Sequence, residues 1–151
     1  MKKMILTVVL LSLMSNMNGQ SRFSKQEFSI NGFRNPSIGV EYRYHQVSVH
    51  AGYYTTAFKN GEYTNFYKAG VTYYYMPVGK KENPSSFYSS LSYAKGINGD
   101  YKDKDAFINE FGFRWMVWKG LNLRLGVATL IAKGESPKIN PTPGISYSFL
   151  F

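Results

Sequence analysis

The sequence predicts an all-β fold, an antiparallel up-and-down transmembrane β-barrel of about eight strands, and three observations carry the prediction. Large apolar residues alternate with small or polar ones through most of the chain after residue 20, the period of two that marks a strand with one apolar and one polar face. The 151 residues include 13 Tyr, 11 Phe and 2 Trp, more aromatic surface than a water-soluble domain of this size readily buries. Mean hydropathy is nonetheless negative, at -0.29. Strands that show lipid only every second residue reconcile these facts.

The length leaves room for one domain. Residues 1–19 read as a secretory signal peptide: Lys2 and Lys3, an apolar run from Met4 to Met14, then Ser15 to Gly19 before Gln20. That run is too short to cross a bilayer as a helix, which takes about 20 residues. Residues 20–151 are then the barrel domain. Without cysteine there is no lipoprotein acylation site, no disulfide framework and no thiolate metal site, and no cofactor is expected. Loss of Lys2 and Lys3 lowers the formal charge from +9 to +7. In an exported chain with no basic run, this charge does not point to nucleic acid.

The strands follow in order. Phe28 and Ile30 alternate with Glu27, Ser29 and Asn31 in a first strand within 22–31, although Ser24, Lys25 and Gln26 interrupt its start. After the turn signal Phe33 to Ser37, Ile38, Val40, Tyr42 and Tyr44 alternate with Gly39, Glu41 and Arg43. His45-Gln46 is a two-residue turn into Val47, Val49, Ala51 and Tyr53, so residues whose numbers sum to 91 should pair, Glu41 with His50 among them. Lys59-Asn-Gly-Glu62 is a hairpin loop. It leads to Tyr67, Ala69, Val71, Tyr73 and Tyr75, opposite Lys68, Gly70, Thr72 and Tyr74.

Pro77 to Ser85, with two prolines, is a connection. Phe87, Leu91 and Tyr93 then oppose Tyr88, Ser90, Ser92 and Ala94 in a fifth strand, and Asn98 to Asp105 is the most polar loop. Phe107, Phe111, Phe113, Trp115 and Val117 alternate with Ile108, Glu110, Gly112, Arg114 and Met116 in the strongest pattern of the chain. Trp118-Lys-Gly120 reads as a three-residue loop with a glycine bulge. Leu121, Leu123, Leu125 and Val127 oppose Asn122, Arg124, Gly126 and Ala128, and a loop from Lys133 to Pro141 precedes the last strand.

That last strand places Ile145, Tyr147, Phe149 and Phe151 on one face, against Gly144, Ser146 and Ser148. The ending is similar to the C-terminal strand of bacterial outer-membrane β-barrel proteins, where a final Phe preceded by aromatic or apolar residues at alternate positions is an assembly signal. The resemblance implies an integral protein of the outer membrane of a Gram-negative bacterium. It also implies that the barrel assembly machinery is a partner and that the C-terminus is periplasmic. On that orientation the connections at His45-Gln46, Pro77 to Ser85 and Trp118 to Gly120 are periplasmic. Those near Arg34, Asn60, Asp100 and Glu135 face outward, and none is long enough to fold into a plug.

Parity then sorts the remaining residues. Glu41, Arg43, His50, Lys68, Glu110, Arg114 and Arg124 form an inward, lumenal polar set that must pair or hold water. Glu41 and His50 are the expected ion pair. Tyr42, Tyr44, Tyr73, Tyr75 and Trp115 make a periplasmic aromatic girdle with Phe87, Phe149 and Phe151, while Phe58, Phe66, Tyr67, Tyr93 and Phe107 make an outer one. Outward lysines such as Lys102 and Lys133 suit lipopolysaccharide phosphates.

The role expected is structural or surface-interacting, non-enzymatic and without an open pore, its protein partner unspecified. Two alternatives stand beside it. The first is a secreted lipocalin-like barrel with an apolar lumen. The second is a lipid A-modifying enzyme using Ser48, His50 and Glu41.

Overall fold

The computed structural model describes residue 23 and residues 26–32, 38–59, 62–81 and 83–151, without the side chains of 57–59 and 62. The signal peptide, the loop at Arg34, the Asn60-Gly61 tip and the Phe58 side chain lie outside the described residues. Among the described residues nine strand segments follow one another: β1 (Gln26–Gly32), β2 (Ile38–Tyr44), β3 (Val47–Lys59), β4 (Glu62–Val78), β5 (Ser85–Gly96), β6 (Asp105–Trp118), β7 (Leu121–Ala132), β8 (Lys138–Pro141) and β9 (Gly144–Leu150). Each pairs antiparallel with its neighbour in sequence, except that β8 and β9 both pair with β7.

Those last two segments share one register against β7, from Leu130↔Lys138 to Leu121↔Tyr147. They are a single eighth strand broken at Pro143, which has no N–H to give a ladder. Across the break, Thr142 N still donates to Gly126 O at 2.8 Å. Residues 138–141, expected as loop, are therefore strand. The sheet closes where β9 meets β1, with Phe28↔Phe149 and Ile30↔Tyr147, so the fold is an eight-stranded closed antiparallel barrel.

Paired residues can be followed around the wall from Ser148 through Ser29, Glu41, His50, Gly70, Ser92, Ile108 and Leu130 to Lys138. The path returns to the eighth strand about ten residues from its start, the stagger that tilts strands by about 40° and leaves an interior just wide enough for side chains. β1, the least regular strand of the sequence, is thus the strand that closes the barrel. It pairs on both sides.

The His45-Gln46 turn pairs Glu41 with His50, in the expected register, with φ 53° at His45. The turn after Trp118 departs from expectation. Trp118 pairs with Leu121, and the left-handed residue is Lys119, at φ 40°, rather than Gly120. Glycine is needed at 120 for a different reason: a Cβ there would sit 2.1 Å from Ser148 O, and the Gly120 carbonyl accepts from Ser148 N at 2.8 Å. Close approach of the eighth strand decides the residue.

Side chains divide by parity all round the ring. Ile38, Val49, Val71, Leu91, Phe111, Leu125 and Tyr147 are exposed on the outside, while Glu27, Arg43, Lys68, Arg114 and Asn122 are buried within. The interior is not uniform along the axis. One end is charged, and the other holds an apolar cluster of Tyr54, Phe66, Ala94, Tyr101, Ala106, Ile108, Ala128, Leu130 and Ala132.

Candidate functional site

The lumen holds the chemistry of this protein, and it is built on three carboxylates. Glu27, 1% exposed, enters from β1. Its Oε2 accepts from Arg43 Nε at 2.9 Å and from Arg43 Nη2, and Arg114 Nη1 reaches Oε1 and Oε2 at 2.9 and 3.1 Å. Asn83 Nδ2 adds a bond to Oε2 at 2.9 Å, while its Oδ1 accepts from Arg43 at 3.1 Å and Arg114 at 3.3 Å. Both guanidinium groups also lie over the Tyr74 ring, Arg43 at 5.7 Å and Arg114 at 4.5 Å from its centroid. Such cation–π contact adds favourable energy where water is excluded.

Glu41 is the second centre. It accepts from Ser48 Oγ at 2.5 Å, Tyr74 Oη at 2.6 Å and Asn31 Nδ2 at 3.4 Å, and pairs with Arg124 Nη2 at 2.7 Å. Glu110 is the third, taking Tyr88 Oη at 2.6 Å, Thr142 Oγ1 at 2.9 Å and Lys68 Nζ at 3.6 Å. Every one of these carboxylates has a cation and at least two neutral donors, the second at Glu27 being Ser29 Oγ, which donates to Oε1 at 3.1 Å. That is the condition under which buried ions are tolerated.

All seven polar residues expected in the lumen are turned inward there, and the structure adds Glu27 to them. The sequence count of four cations against Glu41 and Glu110 left the interior strongly basic. Glu27 relieves it by serving two arginines at once. Its signal was present, as the acidic member of the inward parity of β1, but the broken start of that strand obscured it. Tyr74 and Tyr88 carried the same parity signal, on the faces of Lys68 and Ser90, whereas Asn83, in a connection, carried none.

The expected Glu41–His50 ion pair does not form. The two residues are opposite in the ladder, but the Glu41 oxygens are taken by Ser48, Tyr74, Asn31 and Arg124. The His50 ring turns instead to Ser92 Oγ at 2.9 Å and Thr72 Oγ1 at 3.2 Å. Ser48 bonds the carboxylate directly, so Ser48, His50 and Glu41 do not line up as nucleophile, base and orienting acid.

Both ends of the lumen are stoppered by a few residues of short segments rather than by a loop folded into a plug. At one end Asn83 and Pro84 of the β4–β5 connection are buried, and Lys81 Nζ ties that connection to the carbonyls of Met116 and Val117 at 2.5 and 2.9 Å. Phe23 seals the same end, 5.1 Å from the Arg43 guanidinium. At the other end a single 3-10 turn, Gly99–Tyr101, drops Tyr101 onto Phe66, with ring centroids 5.4 Å apart. Phe66, expected in the outer girdle, belongs to this inner cluster because its even parity on β4 points it inward.

The remaining girdle residues whose side chains are described lie outside. Tyr42, Tyr44 and Trp115 are exposed, Tyr73 stacks on Tyr75 and Tyr75 on Phe87 at 6.1 and 6.4 Å. Ile145, Tyr147, Phe149 and Phe151 are likewise exposed, the last at 75%. No group of three or more His, Asp or Glu suited to a metal ion occurs among the described residues. No protein-family model, curated protein or solved structure matches the chain.

Proposed function

We propose that this chain is an integral outer-membrane β-barrel protein with a structural or surface-interaction role, neither an enzyme nor an open pore. The observation that carries the reading is the inverted polarity of the barrel. Ions and hydroxyls fill much of the inside, and Val, Leu, Ile and aromatic residues cover the outside. In water, an apolar exterior of this extent exceeds what soluble monomers expose. In a bilayer the same exterior is solvated by acyl chains, and closure of the sheet leaves no free edge along the eight-stranded ring.

The tyrosines and Trp115 at one rim suit a membrane interface, and the exposed Ile145, Tyr147, Phe149 and Phe151 suit recognition by an assembly machinery. Lys102 and Lys133, exposed in outward loops, suit lipopolysaccharide phosphates. The stoppers at both ends argue against conduction.

The apolar cluster around Phe66 favours a second reading, a secreted barrel that takes an apolar ligand at that end. Envelope fractionation combined with boiled and unboiled gel samples separates the two. Outer-membrane recovery with a boiling-dependent mobility shift is the expected result. Recovery in the soluble periplasm or medium would overturn the membrane reading and favour the ligand-binding one.

A further inference from the structure

Between the charged and apolar ends lies a small polar cavity of about 10 Å³, lined by Asn31, Glu41, His50, Lys68, Ser90 and Arg124, among others. Two of its neutral lining groups have no hydrogen-bond partner in the protein, Asn31 Oδ1 and Ser90 Oγ, whereas Arg124 Nη2, without a hydrogen bond of regular geometry, still has its ion pair with Glu41 at 2.7 Å. Asn31 is 1% exposed and Ser90 5%, so bulk solvent does not satisfy them. A buried polar group left unpaired loses its hydration with nothing in return, and two in one cavity are a specific feature rather than noise in a fold that saturates each carboxylate.

We infer that this cavity is an internal hydration site, in which bound water supplies the hydrogen bonds that Asn31 Oδ1 and Ser90 Oγ lack. Size excludes larger occupants, because about 10 Å³ is close to the minimum for a single water. Charge excludes ions. A cation would face the Lys68 ammonium and the Arg124 guanidinium, and an anion would face the Glu41 and Glu110 carboxylates. Water alone can donate to the Asn31 carbonyl and exchange bonds with a hydroxyl without adding charge. The site lies at the meeting point of the Glu41–Arg124 and Glu110–Lys68 pairs, and the inference holds whether the outside of the barrel meets lipid or water.

A high-resolution crystal structure of the full barrel, grown with and without sodium bromide, tests this together with the melting temperatures of Ser90→Ala and Asn31→Leu. The expected result is water density within hydrogen-bond distance of Asn31 Oδ1 or Ser90 Oγ, a lower melting temperature for Ser90→Ala, and loss of the Asn31-side water in Asn31→Leu. A dry cavity reverses the sign. Removing an unsatisfied hydroxyl would then raise the melting temperature of Ser90→Ala, and that result would overturn the inference. Anomalous bromide density in the cavity would overturn it also, by making the occupant an anion.

Discussion

Arg114 and Glu27 lie 87 residues apart, and two hydrogen bonds, at 2.9 and 3.1 Å, join them across the lumen. Glu27 stands on the strand that closes the barrel and Arg114 on β6, far from it around the ring. The pair therefore ties the closing strand to the opposite wall through the interior. Backbone pairing alone ties it only to its two neighbours.

Replacing Glu27 with Ala would strand two buried arginines and Asn83, and removing one partner of a buried pair costs about 3–5 kcal/mol. Urea unfolding in detergent should show a loss of that size. A loss below about 1 kcal/mol would mean that water enters and replaces the carboxylate.

Gly120→Ala should weaken the turn between β6 and β7, because the added Cβ meets Ser148 O at 2.1 Å. Overpacking of this kind costs about 1–3 kcal/mol. Gly79→Ala is the informative partner. A Cβ at Gly79 meets nothing within 4 Å, but its φ of 100° strains any side chain. If crowding against the eighth strand is the dominant effect, Gly120→Ala melts lower than Gly79→Ala.

Deleting Phe151 should reduce recovery of folded protein in the outer membrane while leaving refolded barrel in detergent nearly as stable as the parent. The residue is exposed, and its backbone N–H donates to Gln26 O at 3.1 Å. Equal losses in both measurements would make Phe151 a structural residue and not part of an assembly signal.

Tyr101→Ala empties one stopper and removes a buried aromatic ring from the Phe66 cluster, a change that costs about 3–5 kcal/mol in protein cores. In planar bilayers the parent should show no stable conductance, and Tyr101→Ala alone should not open a pore, since the Glu27 network still fills the other end. A stable open channel in the parent would sink the proposal that the barrel is closed.

Lipid A isolated from cells with and without the gene should be identical, since the His50 ring is bonded to Ser92 and Thr72 and does not meet Ser48. A difference abolished by His50→Ala in a folded barrel would instead establish the enzymatic alternative.

Much of the ring is legible in the sequence, because alternation is a local property. The register of β2 against β3 followed from a two-residue turn, and the inward parity of Glu41, Arg43, Lys68 and Arg124 followed from their apolar neighbours. β1 was poorly legible because residues 24–26 interrupt its start, and with it Glu27 was missed. Phe66 was misplaced for another reason: an aromatic near a strand end suits either a girdle or a lumenal stopper, and only its parity distinguishes them.

Fold class and the sorting of side chains between inside and outside both follow from the order of residues in the chain, since both depend on a period of two that each strand displays alone. Tertiary structure alone decided which inward groups meet. Glu41 chose Arg124 over His50, Glu27 took two arginines, and Asn83 and Tyr101 became stoppers. These choices depend on the stagger of the closed sheet, which brings residues from distant strands to one height in a lumen about as wide as two side chains. No local pattern in the chain encodes that height.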